Sequence, residues 1–218
     1  MKLEKFFTTT NQCKTMLTSE LDEIAKEIKK CRKCKLWLTK QNYVPGEGNC
    51  KALIVFVGEA PGREEDIHGR PFVGNAGKLL TEMISRKLNL SRKDVFITNI
   101  LKCRPPNNRD PLEEEIKACK PYLIRQLKSI RPKAVVCLGR HSASLIFSFF
   151  GLEFNGISKE RGKIYEVEVE WGKMKVIAVY HPAAALYKPP LREVLEKDFE
   201  KIGSILKKRR TLEDFMEL

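Results

Sequence analysis

Residues 52–62 read ALIVFVGEAPG, an unbroken apolar run that ends in a glycine-rich turn. The run from Ala52 to Val57 is too short for a helix, and its lack of alternation is typical of a strand buried on both faces. Strands of this kind belong to parallel sheets that helices cover on both sides. The stretch therefore predicts an α/β fold, with the turn at the carboxyl end of a central strand.

Helix and strand patterns alternate along the rest of the chain. Further strands are predicted at 95–98, 134–138, 163–169 and 175–179, and helices at about 19–31, 76–88, 111–130, 142–149 and 191–206. This order, with right-handed crossovers, predicts a three-layer α/β/α sandwich around a central, mostly parallel sheet. Ligands bind such sheets at the carboxyl ends of the strands. The turn at Gly58-Glu59-Ala60, Asn99 and His181 follow predicted strands and should converge there.

The chain is long enough for one sizeable core and carries a large excess of positive charge. It has 218 residues, with 41 Lys and Arg against 28 Asp and Glu, for a net charge of +13. This excess favours a polyanionic partner such as nucleic acid. The alternative is a charge-rich surface, as in thermophilic proteins, that is basic without a nucleic-acid partner.

No stretch of the sequence has the pattern of a membrane span or a signal peptide. Apolar runs of about 18 residues are absent, and the amino-terminal residues MKLEKFFTTTNQCK lack a sustained apolar core. We expect a cytoplasmic, monomeric protein without a membrane partner.

Seven cysteines in a reducing compartment are unsuited to a disulfide framework, because the number is odd and the chain is not small. Cys31 and Cys34 form a CxxC pair, and Cys103 and Cys119 form a second, wider pair. Four thiolates can hold zinc or an iron–sulfur cluster, and spacing alone does not separate the two. Zinc ribbons usually contain two CxxC pairs, so the wide second pair favours a cubane cluster. The other three cysteines are interpreted as non-ligands: Cys13, Cys50 and Cys137.

The turn does not match the common nucleotide-binding loops. A phosphate-binding loop needs GxxxxGK[ST], whereas GEAPGREED at 58–66 has no Lys after its second glycine and carries acids where phosphates would lie. A dinucleotide fold needs GxGxxG at the start of a helix, which is also missing. The turn is therefore interpreted as a site where backbone amides contact a flat, neutral ligand. The aromatic Phe72 lies close by in the sequence.

Several motifs occur together in one order along the chain. They are CxxC at 31–34, GEAPGREED at 58–66, GRPFVGNAGKLL at 69–80, TNILKCRPPNNRDP at 98–111, Cys119, and YHPAA at 180–184. This combination resembles the family 4 uracil-DNA glycosylases, the iron–sulfur type of thermophilic bacteria and archaea. The resemblance implies a structural [4Fe-4S] cluster on Cys31, Cys34, Cys103 and Cys119, and uracil in single- or double-stranded DNA as the substrate.

The resemblance also implies a domain organisation. It runs from about Cys31 to Lys208, so we expect a glycosylase domain at 18–208, an amino-terminal extension at 1–17 and a carboxyl-terminal tail at 209–218.

Uracil must be flipped out of the DNA before a pocket can read it. Phe72 is placed to stack on the flipped ring, although it could also be a core phenylalanine. The Asn99 amide suits the N3–H and O4 edge of uracil, and its alternative role is to complete a turn. Backbone amides around Glu59 and Ala60 would contact a uracil oxygen, and Pro61 belongs to the same predicted uracil-binding turn.

His181 is the candidate donor to uracil O2, because a neutral imidazole can stabilise the negative charge that develops there. Related glycosylases often place an Asp in the turn, where this chain has Ala60, so another group must orient the water. Asn108 is the first candidate and Glu65 the second. Without an obvious Schiff-base lysine, we expect hydrolysis to an abasic site without strand cleavage.

Two further surfaces are predicted. Basic residues near the predicted strand ends should contact DNA phosphates: Arg63, Arg104, Arg109, Arg140 and Lys188. In the tail, Leu212, Phe215 and Met216 have the spacing of a peptide that docks on a sliding clamp, although the usual leading Gln is missing. Two other functions stay open: a non-catalytic metal-containing DNA-binding module, and a related glycosylase that also accepts hypoxanthine or xanthine.

Overall fold

The computed structural model describes the backbone of residues 20–216 and the side chains of residues 20–205. The described chain forms one sheet in the order β1-β3-β2-β4-β6-β5. The four central strands are parallel, and the edge strands β1 and β5 are antiparallel to their neighbours. The strands are β1 (Glu47–Gly48), β2 (Ile54–Gly58), β3 (Phe96–Asn99), β4 (Ala134–Leu138), β5 (Ile164–Val169) and β6 (Gly172–Val179).

Helices cover both faces of the sheet. They are α1 (residues 20–29), α2 (Arg63–His68), α3 (Asn75–Leu88), α4 (Glu113–Ile130), α5 (Arg140–Phe149), α6 (Ile157–Glu160), α7 (Pro182–Tyr187) and α8 (Pro189–Met216), with 3-10 turns at Lys35–Leu38 and Pro106–Asn108. No described helix has the length and apolar character that a membrane crossing requires.

The alternating side chains of the central strands divide the core into two layers. Val55 and Val57 of β2 face α4 and α5, where Leu123 and Phe147 are buried. Phe56 faces the opposite layer, which α3, α7 and α8 form. Helix α1 packs outside α4, where Ile24 and Ile28 contact Tyr122. The predicted three-layer sandwich with a mostly parallel sheet is therefore confirmed.

Several boundaries differ from the predicted ones by one or two residues, for local reasons. Helix α4 begins at Glu113 rather than at 111, because the Glu115 carboxylate accepts the Leu112 N–H and fixes the first turn there. The short elements β1, α2, α6 and α7 were not predicted. Each is too short to show a hydrophobic period.

The predicted terminal segments lie outside the residues whose side chains the structure describes. Residues 1–17 lie outside the described part of the chain. Helix α8 continues across the predicted boundary at 208–209, and the side chains of Leu212, Phe215 and Met216 lie outside the described residues. The domain limits and the tail motif stay predictions.

Candidate active site

The turn after β2 brings together two of the predicted pocket residues. A Cβ atom placed on Gly58 would lie 2.3 Å from Asn99 Oδ1 and 2.6 Å from Phe72 Cζ. Any side chain at 58 would therefore collide with both groups. Gly58 is required here because Phe72 and Asn99 close over the end of β2.

Phe72 is buried, with 6% exposure, and its backbone has a φ of +51°. Bulky residues rarely adopt this left-handed conformation, which costs about 1–3 kcal/mol. Arg92 stabilises it, because its guanidinium donates to Pro71 O at 2.7 Å and to Phe72 O at 2.9 Å. Gly77 allows the same loop to pack closely, since a Cβ there would lie 1.9 Å from Phe72 O.

Asn99 ends β3 and is 1% exposed. Its Oδ1 atom is buried and, within the described structure, accepts no hydrogen bond. A buried amide oxygen without a donor is destabilising by about 1–3 kcal/mol. The side chain is therefore arranged for a donor that the protein itself does not supply.

His181 lies at the amino end of α7, and its ring centroid is 5.7 Å from that of Phe72. The Ala183 N–H donates to His181 Nδ1 at 3.2 Å, so the ring proton of the neutral imidazole is on Nε2. Burial lowers the pKa of His181 to about 4, and the nearby Glu65 opposes this effect only in part. The ring is thus a neutral Nε2–H donor at physiological pH.

Glu65 links the turn to the loop that carries Phe72. Its carboxylate accepts the N–H groups of Gly62 at 3.1 Å, Val73 at 2.9 Å and Gly74 at 2.9 Å. These three hydrogen bonds occupy most of its acceptor capacity. The geometry gives Glu65 a positioning role between two loops.

Asn108 lies apart from this buried group. It is exposed on the 3-10 turn Pro106–Asn108, with a φ of +54°, and its Oδ1 accepts from Arg104 Nε at 2.7 Å. The turn follows β3 at the same edge of the sheet. Asn108 is thus at the rim of the site rather than beside Phe72.

Glu59 joins two residues at the edge of the turn, both of which sequence reasoning missed. His141 Nε2 lies 3.8 Å from Glu59 Oε2 and 3.4 Å from Asp110 Oδ1. Burial raises the pKa of Glu59, and the neighbouring His141 works against that rise. The three side chains connect the loops that follow β2, β3 and β4. His141 closely follows the predicted strand 134–138, as Arg140 does, so its position could have marked it, but the sequence analysis did not single it out.

The predicted DNA-binding residues all follow carboxyl ends of strands. Two of them have ionic partners: Arg109 pairs with Glu115 at 2.5 Å, and Arg140 pairs with Asp110 at 2.5 Å. Three are exposed on the loops or helix starts that follow β2, β4 and β6: Arg63, Arg140 and Lys188. Tyr187, at the end of α7, is 84% exposed and was not singled out in the sequence.

The four predicted metal-ligating cysteines line one cavity. Cys31 and Cys34 follow α1, Cys103 lies in the loop after β3, and Cys119 is on α4; Tyr43 and Tyr122 complete the wall. These cysteines form no disulfide. Burial raises the pKa of Cys34 and Cys103 and raises that of Cys119 to about 11. Cys137 is in the core of β4, and neither it nor Cys50 lines this cavity.

Lys102 is a buried residue that the sequence analysis missed. It lines the cysteine cavity and is only 1% exposed. Its Nζ atom donates to Asn99 O at 2.8 Å, so it also reaches the strand end that carries Asn99. Burial lowers the pKa of Lys102 to about 7. Nothing in the pattern TNILKCRPP distinguishes this lysine from a surface lysine.

Comparison with known proteins identifies the family. The family model described as Uracil DNA glycosylase superfamily matches residues 45–203. A type-4 uracil-DNA glycosylase of Archaeoglobus fulgidus is 63% identical over 198 residues, which cover 90% of this chain and 98% of the relative. The chain belongs to the type-4 uracil-DNA glycosylases.

Other type-4 enzymes match over the same part of the chain. The one from Saccharolobus solfataricus is 57% identical, with 90% of this chain and 91% of the relative covered. The one from Thermotoga maritima is 46% identical, with coverages of 87% and 96%. The superfamily match contains Phe72, Asn99 and His181, whereas the CxxC pair precedes it. The resemblance seen in the sequence motifs is confirmed.

Proposed function

We propose that the protein is a monofunctional DNA repair glycosylase, which hydrolyses the bond between uracil and deoxyribose and leaves an abasic site. The observation that carries this proposal is the buried, unpartnered Oδ1 of Asn99 beside Phe72 and a neutral His181. A stacking ring, an amide and a proton donor are the groups that a flipped uracil needs. Membership of the type-4 family supports the same activity.

Asn99 and Phe72 would recognise the base. Asn99 Oδ1 would accept from uracil N3–H, and the amide nitrogen would donate to O4. Cytosine has no proton on N3 and carries an amine in place of O4, so it would leave the buried amide unpaired. Phe72 would stack on the ring, a contact that contributes about 1–3 kcal/mol per base.

His181 would stabilise the leaving uracil. As the glycosidic bond breaks, negative charge develops on O2, and the Nε2–H of His181 would donate to that atom. Backbone N–H groups of the turn would assist; the turn itself is fixed because Ile100 N donates to Gly58 O and Leu101 N donates to Glu59 O, both at 3.0 Å. No proton needs to leave the imidazole.

The low pKa of His181 predicts an unusual pH profile. The catalytic form is the neutral ring, so excision should stay constant as the pH falls through 6.5 and should decline only near pH 4. A single-turnover rate measured from pH 4 to 8 checks this. The free energy of unfolding also decreases in acid. Below pH 6.5 His181 binds a proton in the unfolded chain before it does so in the folded protein, so a falling pH favours unfolding. A rate that falls with a midpoint near 6.5 would contradict the assignment.

The water nucleophile would be oriented at the rim. Asn108 is the first candidate, because its side chain is exposed at the correct edge and, among the described residues, its Oδ1 accepts one hydrogen bond, from Arg104. Glu65 is the second, but its three backbone hydrogen bonds favour the positioning role. A transition state close to a sugar cation needs little activation of water.

DNA would lie across the loops at the carboxyl edge of the sheet. Arg63, Arg140 and Lys188 are exposed there, and the net charge of +13 provides the general attraction to phosphates. Arg104 and Arg109 lie on the loop after β3 at this edge. The exposed ring of Tyr187 is available to stack on a base near the flipped nucleotide.

The four cysteines would hold a [4Fe-4S] cluster with a structural role, supplying a cross-link between α1, the loop after β3 and α4. Sulfurs around a tetrahedral zinc ion lie about 3.8 Å apart. Among the described residues, the one group of three ligand atoms within 4.8 Å of one another is Glu59, Asp110 and His141. Among the described cysteines, every set of three sulfurs therefore includes a distance above 4.8 Å, which supports a cluster rather than zinc.

The cluster predicts a coloured protein. Thiolate-bound iron absorbs broadly near about 400 nm, so aerobically purified protein should be brown. Iron and zinc should be measured together with the visible spectrum, and a Cys137→Ser variant should keep the colour because Cys137 is outside the cavity. Colourless protein with stoichiometric zinc would contradict the cluster.

The tail would recruit the enzyme to a sliding clamp through Leu212, Phe215 and Met216. Such a contact raises the local concentration of enzyme on DNA without changing excision itself. A chain that ends at Arg210 should lose clamp binding and keep uracil release. Equal clamp binding by both chains would eliminate this role.

Uracil release is the direct test of the proposed function. Single- and double-stranded oligonucleotides with one uracil are incubated with the iron-replete protein, with thymine at the same position as the control. We expect free uracil, and strand breaks only after alkali. A non-catalytic DNA-binding module would bind both oligonucleotides and release no base, which would overturn the proposal. Hypoxanthine and xanthine substrates test the breadth of recognition.

A further inference from the structure

Lys102 lies between the two sites that the preceding sections describe. It follows Asn99 by three residues along the chain and directly precedes Cys103. Its side chain is fully enclosed, with 1% exposure, although lysine is rarely buried without a partner. Such a position requires a specific set of contacts.

The side-chain ammonium group of Lys102 donates three hydrogen bonds. It donates to Thr98 Oγ1 at 2.6 Å, to Asn99 O at 2.8 Å and to Gln126 Oε1 at 2.8 Å. The Thr98 and Gln126 side chains are themselves fixed, because both donate to Pro45 O. All three N–H donors of the Lys102 ammonium group therefore have fixed acceptors. One of these acceptors is the backbone carbonyl of Asn99, the residue that would recognise uracil.

The other end of Lys102 is attached to the cysteine site. Its backbone N–H donates to the sulfur of Cys119, and the residue lines the same cavity as the four thiols. One residue therefore touches the end of β3 through its side chain and a proposed cluster ligand through its main chain.

We propose that Lys102 is a positioning residue that fixes Asn99 relative to the four-cysteine site, so that base recognition depends on that site. The inference rests on the proposed uracil glycosylase function. The cluster would then have a defined role in a hydrolase. It would hold Lys102 in place, and Lys102 would fix the end of β3 that carries Asn99.

The test compares Lys102→Met with Lys33→Met in iron-loaded protein. Met preserves the length of the side chain and removes all three donors. Lys33 lines the same cavity but is exposed and does not contact Asn99, so it controls for loss of positive charge near the cluster. The measurements are iron content, the visible spectrum, inhibition by free uracil, and KM and kcat for uracil excision.

For Lys102→Met we expect bound iron with a shifted visible spectrum, because a polar side chain that lines the cysteine cavity is replaced by an apolar one. The inhibition constant for free uracil should rise about tenfold, with a matching rise in KM and a smaller change in kcat, since Asn99 contacts the base before and during bond breaking. Lys33→Met should bind uracil as the wild type does. Equal inhibition by uracil in iron-loaded Lys102→Met and wild type would overturn the proposal.

Thr98→Val keeps the test decisive if Lys102→Met does not fold or does not retain iron. It removes one acceptor of the ammonium and preserves side-chain shape, so we expect a rise of about threefold in the uracil inhibition constant. An unchanged constant in this variant would also overturn the proposal. Failure of the proposed function is a different result: wild-type protein would then release no uracil.

Discussion

Replacing His181 by Gln should lower the kcat of uracil excision by about 10²–10³-fold, the usual effect of removing one preorganised donor to a developing oxyanion. The expected loss is in kcat rather than KM, because the charge on uracil O2 appears only as the bond breaks. Gln keeps an N–H donor of similar reach, but it lacks the ring that the Ala183 N–H fixes through Nδ1, so its donor is no longer preorganised.

Single-turnover excision of a uracil oligonucleotide measures this effect. His68→Gln is the matched control, because His68 is exposed on α2 and its ring contacts only Glu64 O. We expect wild-type rates for His68→Gln. Less than a fivefold loss for a folded His181→Gln protein would remove His181 from the mechanism, since one such hydrogen bond contributes more than that.

Replacing Asn99 by Leu should lower kcat/KM for uracil by about 10⁴-fold, within the range for sites built to hydrogen-bond their substrate. Leu has a similar shape but cannot pair with N3–H or O4, so these groups would be desolvated without partners. The folded protein should not lose stability to the same extent, because the Oδ1 of Asn99 is already unpartnered in the described structure.

The loss of thermal stability in Asn99→Leu should therefore be small compared with the loss of uracil excision. Asn155→Leu, at an exposed position, is the control for the same chemical change. Inhibition by free uracil should also disappear in Asn99→Leu. Retained inhibition would show that another group reads the base.

The sequence predicted those features that depend on local pattern. The apolar run before Gly58 gave the correct strand, and the polar residues that follow each central strand do meet at one edge of the sheet. Phe72, Asn99 and His181 are brought together as expected, and the four cysteines line one cavity. These successes follow from strand order, because parallel strands place their carboxyl ends side by side.

The supporting contacts could not be predicted, because they join residues far apart in sequence. Arg92 holds the carbonyl groups of Pro71 and Phe72 from 21 and 20 residues away. Lys102 bonds Gln126 on α4, and Glu65 receives the amides of two separate loops. Each is an ordinary charged residue in its local context. Only the folded chain shows that its charged group is hydrogen-bonded by these distant partners.

The left-handed backbone of Phe72 has a consequence for how tightly a flipped base can be held. A flexible aromatic side chain loses rotational freedom when a ligand stacks on it, and that loss weakens binding. Phe72 is already fixed by its enclosing loop and by the guanidinium of Arg92. The unfavourable loss of side-chain freedom thus takes place during folding, and a base that stacks on Phe72 would meet a ring that needs no rearrangement.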